Sequence, residues 1–160
     1  MNPRDSMALV LKGSGGLIGM VVLVALAFAL GQVSRALEMG PYIISVVGTE
    51  WPTWWLPALI FIVGSFISFT LGSSWTGFAI LIPIALPLAE GLGLSMPLML
   101  GAVLAGGVFG DHASPLSDTS LIASMSAASD HVDHINTQLP YALSLAGCTV
   151  VAFLIAGLVM

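Results

Sequence analysis

Gly106–Tyr141, GGVFGDHASPLSDTSLIASMSAASDHVDHINTQLPY, is the stretch on which the fold of this chain turns. It holds four of the eight acidic residues and all three histidines of a 160-residue chain that is otherwise nearly uncharged. Pro115 disfavours helical geometry at Ser114 and suits the first position of a helix, so Ser114 reads as an N-cap and Pro115 as the residue after it. The apolar segment Met96–Phe109 ends ahead of this break, and the Ser- and Ala-rich segment Leu116–Ala128 follows it, with Asp118 near the start of the new helix.

Outward from the break, the chain is a membrane protein by composition. Hydrophobic residues make up 58% and charged residues 7%, with a mean hydropathy of +1.06; soluble domains carry about 25% charged residues. Only Arg4, Lys12 and Arg35 are basic and the net charge is −5, so a nucleic-acid partner is not expected. Cys148 is the single cysteine, which rules out an intrachain disulfide framework and a multi-cysteine metal site and leaves it a packing role. A full span takes about 20 residues, so the length allows roughly five to seven crossings or half-crossings. That is short for transporter folds built from two related halves. The expectation is an all-α, polytopic, single membrane domain over residues 1–160 with two interrupted helices, broken or re-entrant. It would form one half of an inverted-repeat transporter, partnered by an N-terminal half or a second copy.

Upstream, the run Leu17–Leu30 predicts a first helix extending through Ala36, the alternative being a signal peptide. Arg4 and Lys12 before it against Arg35 after it favour a cytoplasmic N-terminus. Glu38–Pro57, with Trp51, Trp54 and Trp55, reads as an interfacial loop whose tryptophans anchor at the headgroup level. Leu56–Leu71 is apolar but only about 24 Å long as a helix, short of a hydrocarbon core of about 30 Å. It runs into Thr70-Leu71-Gly72-Ser73-Ser74-Trp75-Thr76-Gly77, the second predicted break, before Phe78–Ala89 resumes as a helix carrying Pro83 and Pro87. Along Met96–Phe109 and into the break, Ala102, Gly106 and Gly110 recur at four-residue spacing, a close-packing signal. Ser129–Thr137 reads as an interfacial turn and Thr137–Met160 as the last spanning helix.

Irregular backbone at membrane depth is tolerated where protein buries it or where it lines water. Two breaks therefore imply a cavity with free carbonyls, hydroxyls and helix N-termini around it. The carboxylates of Asp111 and Asp118 and the hydroxyls of Ser73, Ser74, Ser114, Ser117 and Thr119 form an oxygen-rich inventory suited to a hard cation such as sodium. Burial favours a protonated carboxyl and a helix N-terminus favours an ionised one. A carboxylate held between them, Asp118 above all, can carry either a proton or a cation. The alternative for Asp111 and Asp118 is helix capping at a membrane surface. His112 beside Asp111 is a proton-relay partner or a structural histidine. Asp130, His131, Asp133 and His134 read as a solvated polar turn, although their spacing also allows two of them to share a helical face toward a divalent metal.

Here the sequence becomes recognisable. GDHASPLSDTSLIASMSAASDHVDHINTQLPYAL resembles a signature near the C-terminal end of the NhaC-type sodium/proton antiporter family, and FTLGSSWTGFAILIPIALPLA is similar to that family's other characteristic segment. The resemblance covers about residues 55–145, with the two motifs in the expected order and separation. It implies a multi-pass inner-membrane protein exchanging sodium for protons, with Asp111, Ser114, Asp118 and Thr119 on the ion pathway and Ser73 and Ser74 at the facing break. Ala113 stands where many members are expected to carry Cys. Family members are about three times longer, and the match is to their C-terminal part.

Two further readings stay open. One is an ion-coupled carrier for a small carboxylate or amino acid. The other, from a different class, is an intramembrane metal-dependent hydrolase using Asp111, His112, Asp130, His131, Asp133 and His134. It would need those groups within about 2.0–2.2 Å of one metal. HExxH-type spacing is absent, so no enzyme activity, resident metal or cofactor is expected.

Overall fold

The computed structural model describes residues 52–159 without a gap, together with 7, 8, 11, 14, 18, 21, 22, 25, 26, 28–33, 36–38, 41, 42 and 45. The expected first helix from Leu17 to Ala36 is thus described only in part, and Arg4, Lys12, Arg35, Glu50 and Trp51 lie outside the described residues. From residue 52 onward the chain forms five helices: α1 Leu56–Leu71, α2 Ser74–Leu92, α3 Met96–Ala113, α4 Asp118–Ser126 and α5 His131–Val159. Three of these, α2, α3 and α5, are long and apolar enough to cross a membrane, and α1 is a shorter apolar helix. The described residues are helical throughout apart from short connections, and the protein is a multi-pass membrane protein.

Local chemistry sets each boundary. Pro57 sits in the first turn of α1, where a missing N–H costs nothing. Gly72, at φ 63°, ends α1: its N–H donates to the Ser68 carbonyl, and the Ser73 N–H reaches the same oxygen at 3.3 Å. That paired closure requires the left-handed residue glycine supplies. Ser73 then caps α2, its hydroxyl accepting from the Thr76 N–H at 3.4 Å. The break is therefore tighter than expected, and α2 begins at Ser74 rather than Phe78 and continues through Pro83 and Pro87. Gly93, at φ 67°, closes α2 as Gly72 closes α1.

At Gly72-Ser73 the chain reverses. A Cβ on Gly77 would overlap the Ser68 hydroxyl and one on Gly64 would lie 3.0 Å from Leu81, so α1 and α2 form an antiparallel hairpin. Helix α3 returns alongside α1 in the same direction. A Cβ on Gly106 would lie 2.5 Å from the Phe61 carbonyl, and one on Gly110 would overlap the Ser65 carbonyl. The predicted small-residue seam is this α1–α3 contact, where bare backbones approach. Ala102, Met99 and Val103 of α3 are fully buried and join Leu56, Ile60, Phe61, Leu81, Ala85 and Ala89 in one core. Phe61 meets Phe109 at a centroid distance of 6.0 Å and Phe153 at 5.7 Å, binding α1, α3 and α5 together.

The second break differs from the sequence expectation in register. Helix α3 continues through Asp111 and His112 to Ala113, since nothing bars helical geometry before Ser114, the residue preceding Pro115. Ser114 is extended (φ −77°, ψ 131°) and ends α3 instead of capping α4. Pro115 and Leu116 form a turn, and the cap of α4 is Ser117, whose hydroxyl accepts from the Ser120 N–H at 3.4 Å. The predicted polar turn at Ser129–Thr137 is mostly helix as well. Asp130 Oδ1 accepts from the N–H groups of Val132 at 2.9 Å and Asp133 at 3.1 Å, so α5 starts at His131. Its 29 residues extend to about 43 Å, longer than a hydrocarbon core of about 30 Å. The polar first turns can therefore stand in water while the apolar remainder spans.

Candidate functional site

The α1–α2 and α3–α4 connections meet. A Cβ on Gly72 would lie 2.6 Å from the Leu116 carbonyl and 3.0 Å from the Ser117 nitrogen, so the tip of the α1–α2 hairpin rests directly on the α3–α4 connection. The Ser114 hydroxyl donates to the Phe69 carbonyl at 2.6 Å and accepts from the Leu116 N–H at 3.1 Å. It clips the last turn of α1 to the end of α3 and is fully buried.

Asp111 occupies the last turn of α3 and is only 6% exposed. The Ser117 hydroxyl donates to its Oδ1 at 2.5 Å. Ser117 Oγ lies 2.7 Å from Thr119 Oγ1. Because Ser117 has a single hydrogen and gives it to Asp111 Oδ1, Thr119 is the donor in that second bond. A helix in a membrane rarely buries a carboxylate without a function, and this one is hydrogen-bonded at a helix junction.

The remaining predicted residues fall around this pair. Asp118 and Thr119 are exposed in the first turn of α4. The sequence reading centred on Asp118, whereas burial singles out Asp111. Ser73 and Ser74 are half-buried at the start of α2, across the Gly72–Leu116 contact. The His112 side chain is exposed, and its backbone carbonyl accepts from the Ser120 hydroxyl at 3.1 Å and the Gln138 amide at 3.3 Å.

Among the described residues no group of three or more His, Cys, Asp or Glu side chains converges as a metal site. His131 has a different task. Its Nε2–H donates to the Pro115 carbonyl at 2.9 Å and its Nδ1 lies 3.1 Å from the Ser124 hydroxyl, tying the start of α5 to α4 and to the break.

Two residues of the site were missed. Ser117 was counted only among the available hydroxyls; its position directly before Asp118 was the signal for a cap, outweighed by the Ser114-Pro115 pair. Ser68 gave no signal. Its hydroxyl is fully buried with no hydrogen-bond partner among the described residues, and it is turned toward Gly77 in the first turn of α2. Neighbouring Ser65, by contrast, donates to the Phe61 carbonyl at 2.7 Å.

Residues 2–158 match the family described as the Na+/H+ antiporter family. An uncharacterized protein of Haemophilus influenzae is 35% identical over 146 residues, which are 91% of this chain and 28% of that protein. The Na(+)/H(+) antiporter NhaC of Alkalihalophilus pseudofirmus is 33% identical over 88% of this chain and 29% of its own length. The malate-2H(+)/Na(+)-lactate antiporter of Bacillus subtilis is 37% identical over 60% of this chain and 20% of its own. The chain thus spans 15–29% of the length of the curated relatives it matches. No solved structure matches it.

Proposed function

This chain belongs to the Na+/H+ antiporter family, and on that premise we propose that it forms the ion-exchanging part of a secondary antiporter that moves sodium against protons across the cell inner membrane. The observation that carries the reading is the buried Asp111 carboxylate, bonded to Ser117 where two helix ends abut. Holding an ionised carboxylate inside a membrane protein is costly, and either a proton or a bound cation relieves that cost. Asp111 alternating between the two is the exchange itself.

The two breaks are interrupted helices in this reading: a re-entrant α1–α2 hairpin with its tip at Gly72-Ser73, and a discontinuity at Ser114–Ser117 between α3 and α4. Ser73, Ser74, Ser114 and Asp118 line the cation pathway with hard oxygen atoms, Thr119 stands on its proton side, and His112 relays protons at its edge. The chain supplies one half of an inverted repeat, facing an N-terminal half or a second copy. Exposed apolar side chains along α5, among them Leu143, Leu145, Val151 and Ile155, suit contact with lipid or with that second half.

The test is proton movement in proteoliposomes of the intact transporter, followed with an internal pH-sensitive dye after an imposed sodium gradient. Sodium-dependent proton flux that Asp111→Asn abolishes, with membrane insertion unchanged, is the expected result. Absence of such flux in the unmodified protein overturns the reading. A second reading, an ion-coupled carrier for a small carboxylate, is favoured by the likeness to the malate-2H(+)/Na(+)-lactate antiporter. Counter-transport of labelled lactate or malate under the same gradients separates the two.

A further inference from the structure

We infer that Ser117 is a proton-conducting residue, the inner station of a two-hydroxyl wire by which Thr119 passes protons to and from the buried Asp111 carboxyl. The inference rests on the proposed exchange at Asp111 and assigns its proton a route. Asp111 is 6% exposed and Ser117 1%, whereas Thr119 is exposed, so the three groups run from the interior to the surface. Their oxygen atoms are spaced 2.5 Å and 2.7 Å apart, with no residue between them.

The arrangement is reversible by hydrogen count. A hydroxyl has one hydrogen and two lone pairs. With Asp111 ionised, Ser117 donates inward to Oδ1 and Thr119 donates inward to Ser117. With Asp111 protonated, its O–H donates to Ser117 Oγ, Ser117 donates to Thr119, and Thr119 donates outward to water. Passing between these states moves one proton: the carboxyl O–H bond breaks as a Ser117 O–H bond forms, the former Ser117 hydrogen goes to Thr119, and the former Thr119 hydrogen goes to a water molecule. Every hydroxyl ends with one hydrogen, and the carboxylate is left negative for a cation. A lone capping hydroxyl needs only the bond to the Ser120 N–H, at 3.4 Å; the much shorter contacts to Asp111 and Thr119 exceed that need.

A capping role and a conducting role separate by experiment. In proteoliposomes of the intact transporter, labelled-sodium self-exchange requires cation binding but no proton, while sodium/proton exchange requires both. Ser117→Ala is expected to slow sodium/proton exchange at least about a hundredfold, in line with the worth of a positioned proton-transfer group, and to leave self-exchange within about twofold. Ser117→Thr restores the hydroxyl and the rate. Thr119→Val, which keeps the Ser117 cap and fills the same volume without a hydroxyl, shows the same split and keeps the inference testable if Ser117→Ala does not fold. Unchanged sodium/proton exchange in Thr119→Val, or a parallel fall of both exchanges in the two variants, overturns the wire. Loss of both exchanges in the unmodified protein would instead sink the proposed function beneath it.

Discussion

The Ser114 hydroxyl and the Phe69 carbonyl, 45 residues apart in sequence, are joined by a 2.6 Å hydrogen bond that closes the end of α3 onto the end of α1. This bond and the Gly72–Leu116 contact hold the hairpin tip against the break beside Asp111. Ser114 is fully buried, and its alanine variant leaves the half-buried Phe69 carbonyl without this donor. Ser114→Ala is expected to lose about 1–3 kcal/mol of stability. Denaturant unfolding in detergent micelles reads it, and an unchanged midpoint would remove Ser114 as the clip.

Backbone proximity makes a second prediction position-specific. Gly110→Ala drives a methyl group into the Ser65 carbonyl and the Ser68 side chain of α1, whereas Gly101→Ala meets nothing within 4 Å. The first is expected to destabilise by about 1–3 kcal/mol, as overpacking does. The second is expected to be stabilising by up to about 1 kcal/mol through helix propensity. Equal melting temperatures for the two variants would argue against the α1–α3 packing.

Asp118 and Asp111 are separated by the same logic of burial. Asp118 is exposed in the first turn of α4, where a carboxylate is worth about 0.3–1 kcal/mol to the helix dipole. Asp118→Asn is expected to lower sodium-dependent proton flux without abolishing it, while Asp111→Asn abolishes it. The reverse ranking in the same vesicle assay returns the exchanging role to Asp118.

Ser68 offers a test with the opposite sign. Its hydroxyl is buried and unpartnered among the described residues, so removing it leaves no group orphaned. Ser68→Ala is expected to be neutral or to stabilise by up to about 1–3 kcal/mol, the penalty for a buried polar group without a bond. A clear loss of stability on calorimetry would mean that the hydroxyl has a partner.

The membrane character, the helical class and the approximate place of the helix boundaries near Gly72 and Pro115 were legible because composition and proline–glycine punctuation are local properties. The span Leu56–Leu71 matches its predicted bounds for that reason. Register at the second break was less legible. Ser114 and Ser117 are both good caps, and the choice went to Ser117 because Ser114 is drawn onto Phe69, a partner from another helix. His131 was read as part of a solvated turn for the same reason, since Pro115 and Ser124 reach it only once α4 folds against α5.

The sequence by itself determined that acidic and hydroxyl groups stand at helix ends inside an apolar chain. Hydropathy and backbone dihedral preferences act over a few residues and need no distant partner. Only the tertiary structure decided that the two breaks touch, that Asp111 rather than Asp118 is enclosed, and that Ser117 mediates its contact with Thr119. Burial and hydrogen bonding between helices depend on which surfaces pack, and here that is set by glycines letting α1 and α3 come together along bare backbone.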